Sequence, residues 1–324
     1  MGIIESQMLG LAKFYSNEYA VTIAVHESVN LFKINKNNKY FTYKNRFNLL
    51  PLLKNADVIY FRNIYDYLFS LFYCRIKNKN TIYDFRGLVS YENFNKNKNY
   101  LKFFVLYIFE FLAYAFSDII QCVSEKMKVE LKKMYIINKK INVVPCMVHA
   151  NIKRTDSCEK GIKFVYIGNL SSWQMVDTII NLALQIQNEI DSIFTFITFN
   201  KSELEEKIQK TDLLHYKVLT GNNKFVKNSL STQDFGFLIR DDLMLNRVSS
   251  PVKFLEYVSN GVIPIITPYI GDYSDNVSER KLGIIFNGDI AKLIKEIKLI
   301  IPDIKEYRQR LYSYSSSLTW DKFN

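Results

Sequence analysis

The sequence predicts an α/β protein of two doubly wound domains facing each other across a cleft, each a parallel sheet with crossover helices. Three observations carry this. Strand-like and helix-like runs alternate along the whole chain. The alternation restarts after one polar stretch, "HANIKRTDSCEKG" (His149–Gly161). A length of 324 residues with 48% hydrophobic content suits two cores better than one.

The elements follow in order. Short runs rich in Val, Ile, Phe, Tyr or Thr, bounded by turn residues, read as strands at Val21–Val25, Val58–Phe61, Thr81–Asp84, Ile119–Val123 and Asn142–Val144. Beyond the polar stretch they recur at Lys163–Ile167, Ser192–Phe199, Lys217–Thr220, Phe235–Ile239, Val262–Thr267 and Gly283–Phe286. Helical periodicity fills the gaps, as at Val176–Ile190, Ser202–Lys210 and Ile290–Ile300. The run Phe103–Phe116, interrupted by Glu110, reads as a buried helix, too short and too interrupted to span a bilayer. The opening "GIIESQMLGLAKFY" looks helical where a strand is usual, so either the start is expected to be truncated or the first domain to lack its opening strand. The domains are placed at 1–150 and 151–305, with a terminal helix, 306–324, crossing back to the first.

Composition excludes several classes. Four cysteines (Cys74, Cys122, Cys146, Cys158) show no Cys-x-x-Cys spacing, which argues for reduced thiols in a cytosolic compartment. His26, His149 and His215 form no zinc pattern. The start lacks the basic region of a secretory signal. Neither G-x-G-x-x-G nor a Walker A loop is present. Residues 1–150 hold 21 Lys and Arg against 11 Asp and Glu, whereas residues 151–324 hold 22 against 21. Nearly all of the net charge of +11 therefore lies in the first half, which suits an anionic surface, either nucleic acid or acidic lipid. No zinc-finger, helix-turn-helix or RNP-like signature favours nucleic acid. "NFNKNKNYLKFF" (Asn93–Phe104) interleaves lysines with aromatics, a composition that fits a lipid headgroup layer.

The most informative stretch is "SSPVKFLEYVSNGVIPI", Ser249–Ile265. Ser250 is expected to cap a helix, Pro251 to occupy its first position, and Asn260-Gly261 to end it. The helix follows "FGFLIRDD", a buried strand ending at Arg240. A helix start at the carboxyl edge of a parallel sheet offers unpaired N–H groups and a positive dipole end to a phosphate, and Lys253 adds a full charge. Glu256 lies about 9 Å further along the axis. Helical side chains lean towards the N-terminus, so its carboxylate can reach a group attached to that phosphate. A nucleoside diphosphate matches, with its ribose diol donating to the two carboxylate oxygens.

These residues resemble the donor-binding signature of retaining GT-B glycosyltransferases of family 4, in the branch that builds bacterial surface polysaccharides such as capsule, O-antigen or lipopolysaccharide. "FVYIGNLSSWQ" resembles the first strand and loop of the donor domain, "IYDFRGLVSYE" an acceptor-domain loop, and "FSDIIQCVSEKMK" the family's strand–Ser–helix. "INVVPCMV" resembles the segment before the linker and "WDKFN" the terminal helix. The resemblance implies two Rossmann-like domains and a hexosyltransferase moving sugar from a nucleotide diphosphate sugar to a glycan or polyprenyl-linked glycan. It implies Glu256 on the donor ribose, Ser249, Ser250 and Val252 on the diphosphate, and Gly168 and Asn169 close beneath it. Trp173 would face base or acceptor. Arg240 and Lys253 would neutralise the leaving diphosphate, with Asp84 and Arg86 in a loop facing the transferring sugar. Glu5, Ser6 and Gln7 resemble the acceptor-side "ESQ".

No Asp-x-Asp occurs, so no metal or other cofactor is expected, helix dipole and cationic side chains standing in. Three departures stand out. Val248 occupies the place of a second family glutamate. "GNLSSWQM" lacks the Arg and Lys that many relatives carry there. The opening strand and glycine loop are missing. These motivate a second reading, a non-catalytic or partner-dependent subunit. A cytoplasmic protein resting on the inner face of the membrane through its basic domain is the expected setting.

Overall fold

Why the chain alternates becomes plain in its sheets: every strand pairing is parallel, so each strand must be followed by a crossover. The computed structural model describes residues 3–27, 39–148 and 160–320. The chain divides into two compact units, Met1–Pro145 with Arg247–Ser250, and Cys146–Asn246 with Pro251–Asn324. The polar stretch expected to separate them lies mostly outside the described residues.

The first unit opens on a helix, α1 (Ile3–Tyr15), and continues through β1 (Thr22–His26), β2 (Lys39–Tyr43), α2 (Leu50–Asn55), β3 (Val58–Phe61), α3 (Ile64–Ile76) and β4 (Asn80–Phe85). Then come α4 (Val89–Asn97), α5 (Tyr100–Phe116), β5 (Ile119–Cys122), α6 (Glu125–Met134) and β6 (Ile141–Val143). Strands β1 and β2 form a two-stranded sheet of their own, and β3–β4–β5–β6 a separate four-stranded one. Strand β2 was not expected: its five residues follow the Asn- and Lys-rich run 35–38, which masks the alternation.

Helix α5 corrects the expectation of a buried helix. It buries only Leu106, Glu110, Ala113 and Tyr114, and much of its other side is exposed. Glu110 explains the charge inside this apolar run. Helix α4 has no side-chain cap of its own at Leu88, and Glu110 supplies one from the neighbouring helix. The Val89 and Ser90 amides and the Ser90 hydroxyl all donate to its carboxylate. Burial outweighs those bonds and raises its pKa to about 7. The folded chain thus keeps this proton to about pH 7, while the unfolded chain releases it near 4.3. Stability therefore falls as pH rises through that window, by roughly 3 kcal/mol from this group. Glu110→Gln is expected to remove most of that slope, read from urea midpoints of both proteins at pH 5 and pH 8.

The second unit runs β7 (Ile162–Ile167), α7 (Val176–Gln187), β8 (Ser192–Ile197), α8 (Lys201–Gln209), β9 (Tyr216–Leu219), α9 (Asn223–Leu230) and β10 (Phe235–Leu238). It continues with α10 (Met244–Arg247), α11 (Val252–Ser259), β11 (Ile263–Ile266), α12 (Tyr273–Arg280), β12 (Ile284–Ile285), α13 (Ile290–Ile300) and α14 (Ile304–Ser316). Its six strands lie in the order β12-β11-β10-β7-β8-β9. Phe164 sits at the centre of the core, its ring stacked on those of Phe194, Phe235 and Phe237 at 5.2–5.7 Å. Helix α14, where a helix returning to the first domain was expected, packs on α11 and β11, and its Arg308 pairs with buried Asp234. The structure groups 251–324 with the second unit.

Candidate functional site

The second sheet changes direction between β7 and β10. The chain proceeds from β7 to β8 and β9 towards one edge, then returns to β10 on the other side of β7. Such a reversal opens a crevice beyond the carboxyl ends of the two strands, because the connections leave to opposite sides. Gly168 and Asn169 follow β7 there, Arg240 follows β10, and α11 comes after the short helix α10.

Each group is held by its surroundings. Tyr257, fully buried on α11, donates from its hydroxyl to the Phe237 carbonyl at 3.0 Å and accepts from the Ile167 amide at 3.3 Å. It thereby ties α11 to the ends of both strands. Its ring fits because Gly236 has no Cβ, which would lie 2.8 Å from it. The Thr267 hydroxyl accepts from the Arg240 amide at 3.0 Å and donates to the Arg240 carbonyl at 2.9 Å, fixing the backbone at the strand exit. Lys253 Nζ donates to Gln174 Oε1 at 2.7 Å and lies 5.5 Å from the centre of the Tyr166 ring. A Cβ on Gly168 would lie 2.4 Å from the Tyr166 hydroxyl and 2.5 Å from Lys253 Nζ, so a side chain here would displace the tips of both residues from over this loop. The Tyr166 hydroxyl in turn donates to the Asn169 carbonyl at 2.7 Å.

The charges are arranged for an anion. Burial lowers the Lys253 pKa to about 7, Arg240 repels its charge further, and Glu256 only partly offsets them. Burial also depresses Arg240. Glu256, half-buried, is raised by burial against the pull of Lys253 and Lys227. Two cations short of negative charge beside an acid kept partly out of water is an unfavourable arrangement for a free surface. A diphosphate would supply the missing charge. A cavity of about 250 Å³ adjoins the loop after β7, lined by Leu170, Ser171, Met175, Lys207 and Asp241 among others.

Helix α11 differs in detail from expectation. It starts at Val252, Pro251 is the cap residue, and no side chain caps it. Phe254 N–H bonds back to the Pro251 carbonyl at 3.1 Å, which places the Val252 and Lys253 amides at the open end. At the other end Gly261 takes φ +68°, the left-handed stop expected of Asn-Gly.

The other expected residues lie as follows. Trp173 is half-buried on the short turn Ser172–Gln174 of the same unit. In the first unit, Asp84 belongs to strand β4 rather than to a loop, and it is buried. Its carboxylate accepts from Arg86 Nε at 2.6 Å and faces Arg62 Nε at 3.5 Å. It is thus an internal counter-ion, while Arg86 in the following bend also donates to the Val144 carbonyl at 3.2 Å. Gln7 is buried on α1, and the side chains of Glu5 and Ser6 lie outside those described. Ser249 and Ser250 fall in the segment grouped with the first unit. Val248, also there, is buried, and its carbonyl accepts from the Ser124 hydroxyl at 2.7 Å. Tyr166, Gln174, Tyr257, Thr267 and Lys227 had not been singled out in the sequence. Tyr257, one residue from Glu256, and Tyr166 and Gln174, within "FVYIGNLSSWQ", lay inside quoted motifs and carried a readable signal. Among the described residues no group of three His, Cys, Asp or Glu is placed to hold a metal.

The family model described as Glycosyltransferase Family 4 matches residues 10–151. The chain is similar in structure to Anabaena HepE solved with UDP, at a TM-score of 0.74 and 14% identity, over 99% of this chain and 93% of that one. It is similar to sucrose-phosphate synthase from Thermosynechococcus elongatus, at a TM-score of 0.71 and 10% identity over 98% and 89%. WaaG, a glycosyltransferase involved in lipopolysaccharide biosynthesis, aligns at a TM-score of 0.68 and 11% identity over 97% and 93%. No curated protein sequence matches the chain.

Proposed function

We propose that this chain, whose fold is that of GT-B glycosyltransferases and whose residues 10–151 match the Glycosyltransferase Family 4 model, transfers a sugar, with retention, from a nucleoside diphosphate sugar to a glycan or polyprenyl-linked glycan acceptor. Family and fold together support glycosyl transfer, and the cluster of Lys253, Arg240 and Glu256 at the strand reversal carries the reading to the donor. The diphosphate would rest on the Val252 and Lys253 amides, with Ser249 and Ser250 just before them in sequence and Gly168 and Asn169 in the loop beneath the Lys253 ammonium. The ribose diol would donate to Glu256. As the bond from the sugar's anomeric carbon to the diphosphate breaks and one to the acceptor oxygen forms, charge grows on the departing phosphate, which takes up the proton that the acceptor hydroxyl loses. Lys253, Arg240 and the helix start would stabilise it in place of a metal.

The product would be a surface polysaccharide assembled at the cytoplasmic face of the membrane. One observation favours the second reading, a partner-dependent subunit. Val248 is buried where many relatives place a glutamate, so that position offers no carboxylate to a sugar. A single experiment separates the two. The protein is mixed with UDP-, GDP-, CDP- and ADP-sugars in EDTA, and melting temperature and nucleoside diphosphate release are followed with a polyprenyl-linked acceptor. One nucleotide class is expected to raise the melting temperature and to be released as its diphosphate. Stabilisation without release for any donor supports the partner-dependent subunit, and no stabilisation by any of them contradicts the donor site.

A further inference from the structure

Helix α5 leaves one side uncovered. Its buried residues, Leu106, Glu110, Ala113 and Tyr114, point one way. The opposite side shows Leu101 (77% exposed), Phe104 (59%), Val105 (40%), Ile108 (54%) and Phe111 (38%). Steps of three and four residues place them in one stripe along the helix. The adjacent helix α3 extends it. The ring of Tyr65 meets that of Phe109 edge-on at 6.3 Å, and the Arg75 guanidinium lies 5.9 Å from the centre of the Phe116 ring. On α3, Phe72 (76%) and Ile76 (61%) are also exposed. Scattered apolar residues on a surface need no explanation, but a continuous stripe marks a contact.

The charges around the stripe are mostly positive, although Arg75 faces Asp118 at 3.5 Å. Exposed Lys96, Lys98 and Lys102 surround the turn between α4 and α5, and Arg75 and Lys77 lie at the end of α3. Of the acids on these three helices, Asp66 is held by Tyr43 and Arg46, and Glu110 is buried, which leaves Glu92 as the exception. Two copies of this face would bring lysines against lysines, which disfavours a symmetric dimer. A sheet of acidic headgroups over acyl chains complements both features, with cations at the headgroups and aromatic and aliphatic side chains below. Among the described residues no helix is long and apolar enough to cross a membrane, so the contact is with one face of it.

We propose that the outer face of α5, extended by Phe72 and Ile76 of α3, is a membrane-contact surface that inserts Leu101, Phe104 and Ile108 into a leaflet rich in acidic lipid. The inference stands apart from the donor site, since its test reads partition and not turnover. Wild-type protein is floated at physiological salt with phosphatidylcholine vesicles or with vesicles containing phosphatidylglycerol. The triple variant Leu101→Ser/Phe104→Ser/Ile108→Ser and the triple variant Lys96→Ser/Lys98→Ser/Lys102→Ser are treated alike. Wild type should float with the acidic vesicles, and each triple should lose about tenfold or more in partition. Phe104→Trp, a substitution on an exposed position, should shift its added indole emission to the blue on acidic vesicles only. No flotation of wild type, full flotation of the apolar triple, or an unshifted Phe104→Trp spectrum overturns the proposal. So does a wild-type dimer that becomes monomeric in the apolar triple with vesicle binding unchanged.

Discussion

Replacing Glu256 by alanine is expected to weaken nucleotide-sugar binding by about 100-fold or more while leaving the protein folded. The estimate follows from two ribose hydroxyls donating to one ionised carboxylate, each such bond contributing roughly 1.5–3 kcal/mol. Folding should not suffer. The hydrogen bonds recorded at Glu256 run to its backbone carbonyl, from Ser259 and Asn260, and alanine keeps that carbonyl. Burial raises the pKa of the carboxyl, so its charged form is disfavoured in the folded chain, and alanine is a better helix former. Calorimetric titration with the donor, beside a urea denaturation of the same variant, reads both. Glu256→Gln, which keeps the shape but not the charge, should fall between. Unchanged affinity in Glu256→Ala would remove the ribose from this position.

Lys253→Met should lower turnover by about 100-fold and also abolish a pH dependence of donor binding. Lys253 in the ligand-free protein titrates near 7, because burial and Arg240 disfavour its charge. Below that pH it is a cation and binds the diphosphate well. Above it the amine is neutral, so wild-type affinity should fall as pH rises through about 7, while the methionine variant stays flat. Stability moves the opposite way. The folded chain releases this proton near 7 and the unfolded chain only near 10.4, so holding the charged lysine opposes folding most strongly below pH 7. Lys253→Met should therefore melt no lower than wild type at pH 6, despite its lost activity. A loss of stability at pH 6 together with a flat wild-type affinity profile would make Lys253 a structural residue. Activity and stability that part in this way mark a group kept for function.

Much of this architecture was legible beforehand where the local signals were strong. Val58–Phe61 and Ile290–Ile300 have the predicted bounds, and the other predicted strands differ by one or two residues at their ends, where hydrogen bonding rather than composition decides. The setting of Glu256 was legible because a strand exit, a proline and an Asn-Gly stop bracket it within one short segment. Other features depend on partners distant in sequence. Composition says that Tyr100–Phe116 is apolar all round, but only the neighbours of α5 decide which side is covered. Asp84 precedes Arg86 by two residues and reads as a loop pair, yet Arg62, from the end of the preceding strand, draws it into the interior. Tyr257 and Gly236 fit each other across twenty-one positions, and Thr267 meets Arg240 across β11, neither of which any local window can show. Ser250 looked like a cap because its residue type suits one, whereas the backbone at Pro251 occupies the cap position itself.

The most direct test of the donor site is a crystal of the protein soaked with the nucleoside diphosphate sugar that stabilises it best. The phosphates should lie within hydrogen-bonding distance of the Val252 and Lys253 amides and of Lys253 Nζ, with both ribose hydroxyls on the Glu256 carboxylate. Density for the ligand elsewhere, or a Glu256 side chain turned to bulk water with the nucleotide bound, would contradict the assignment.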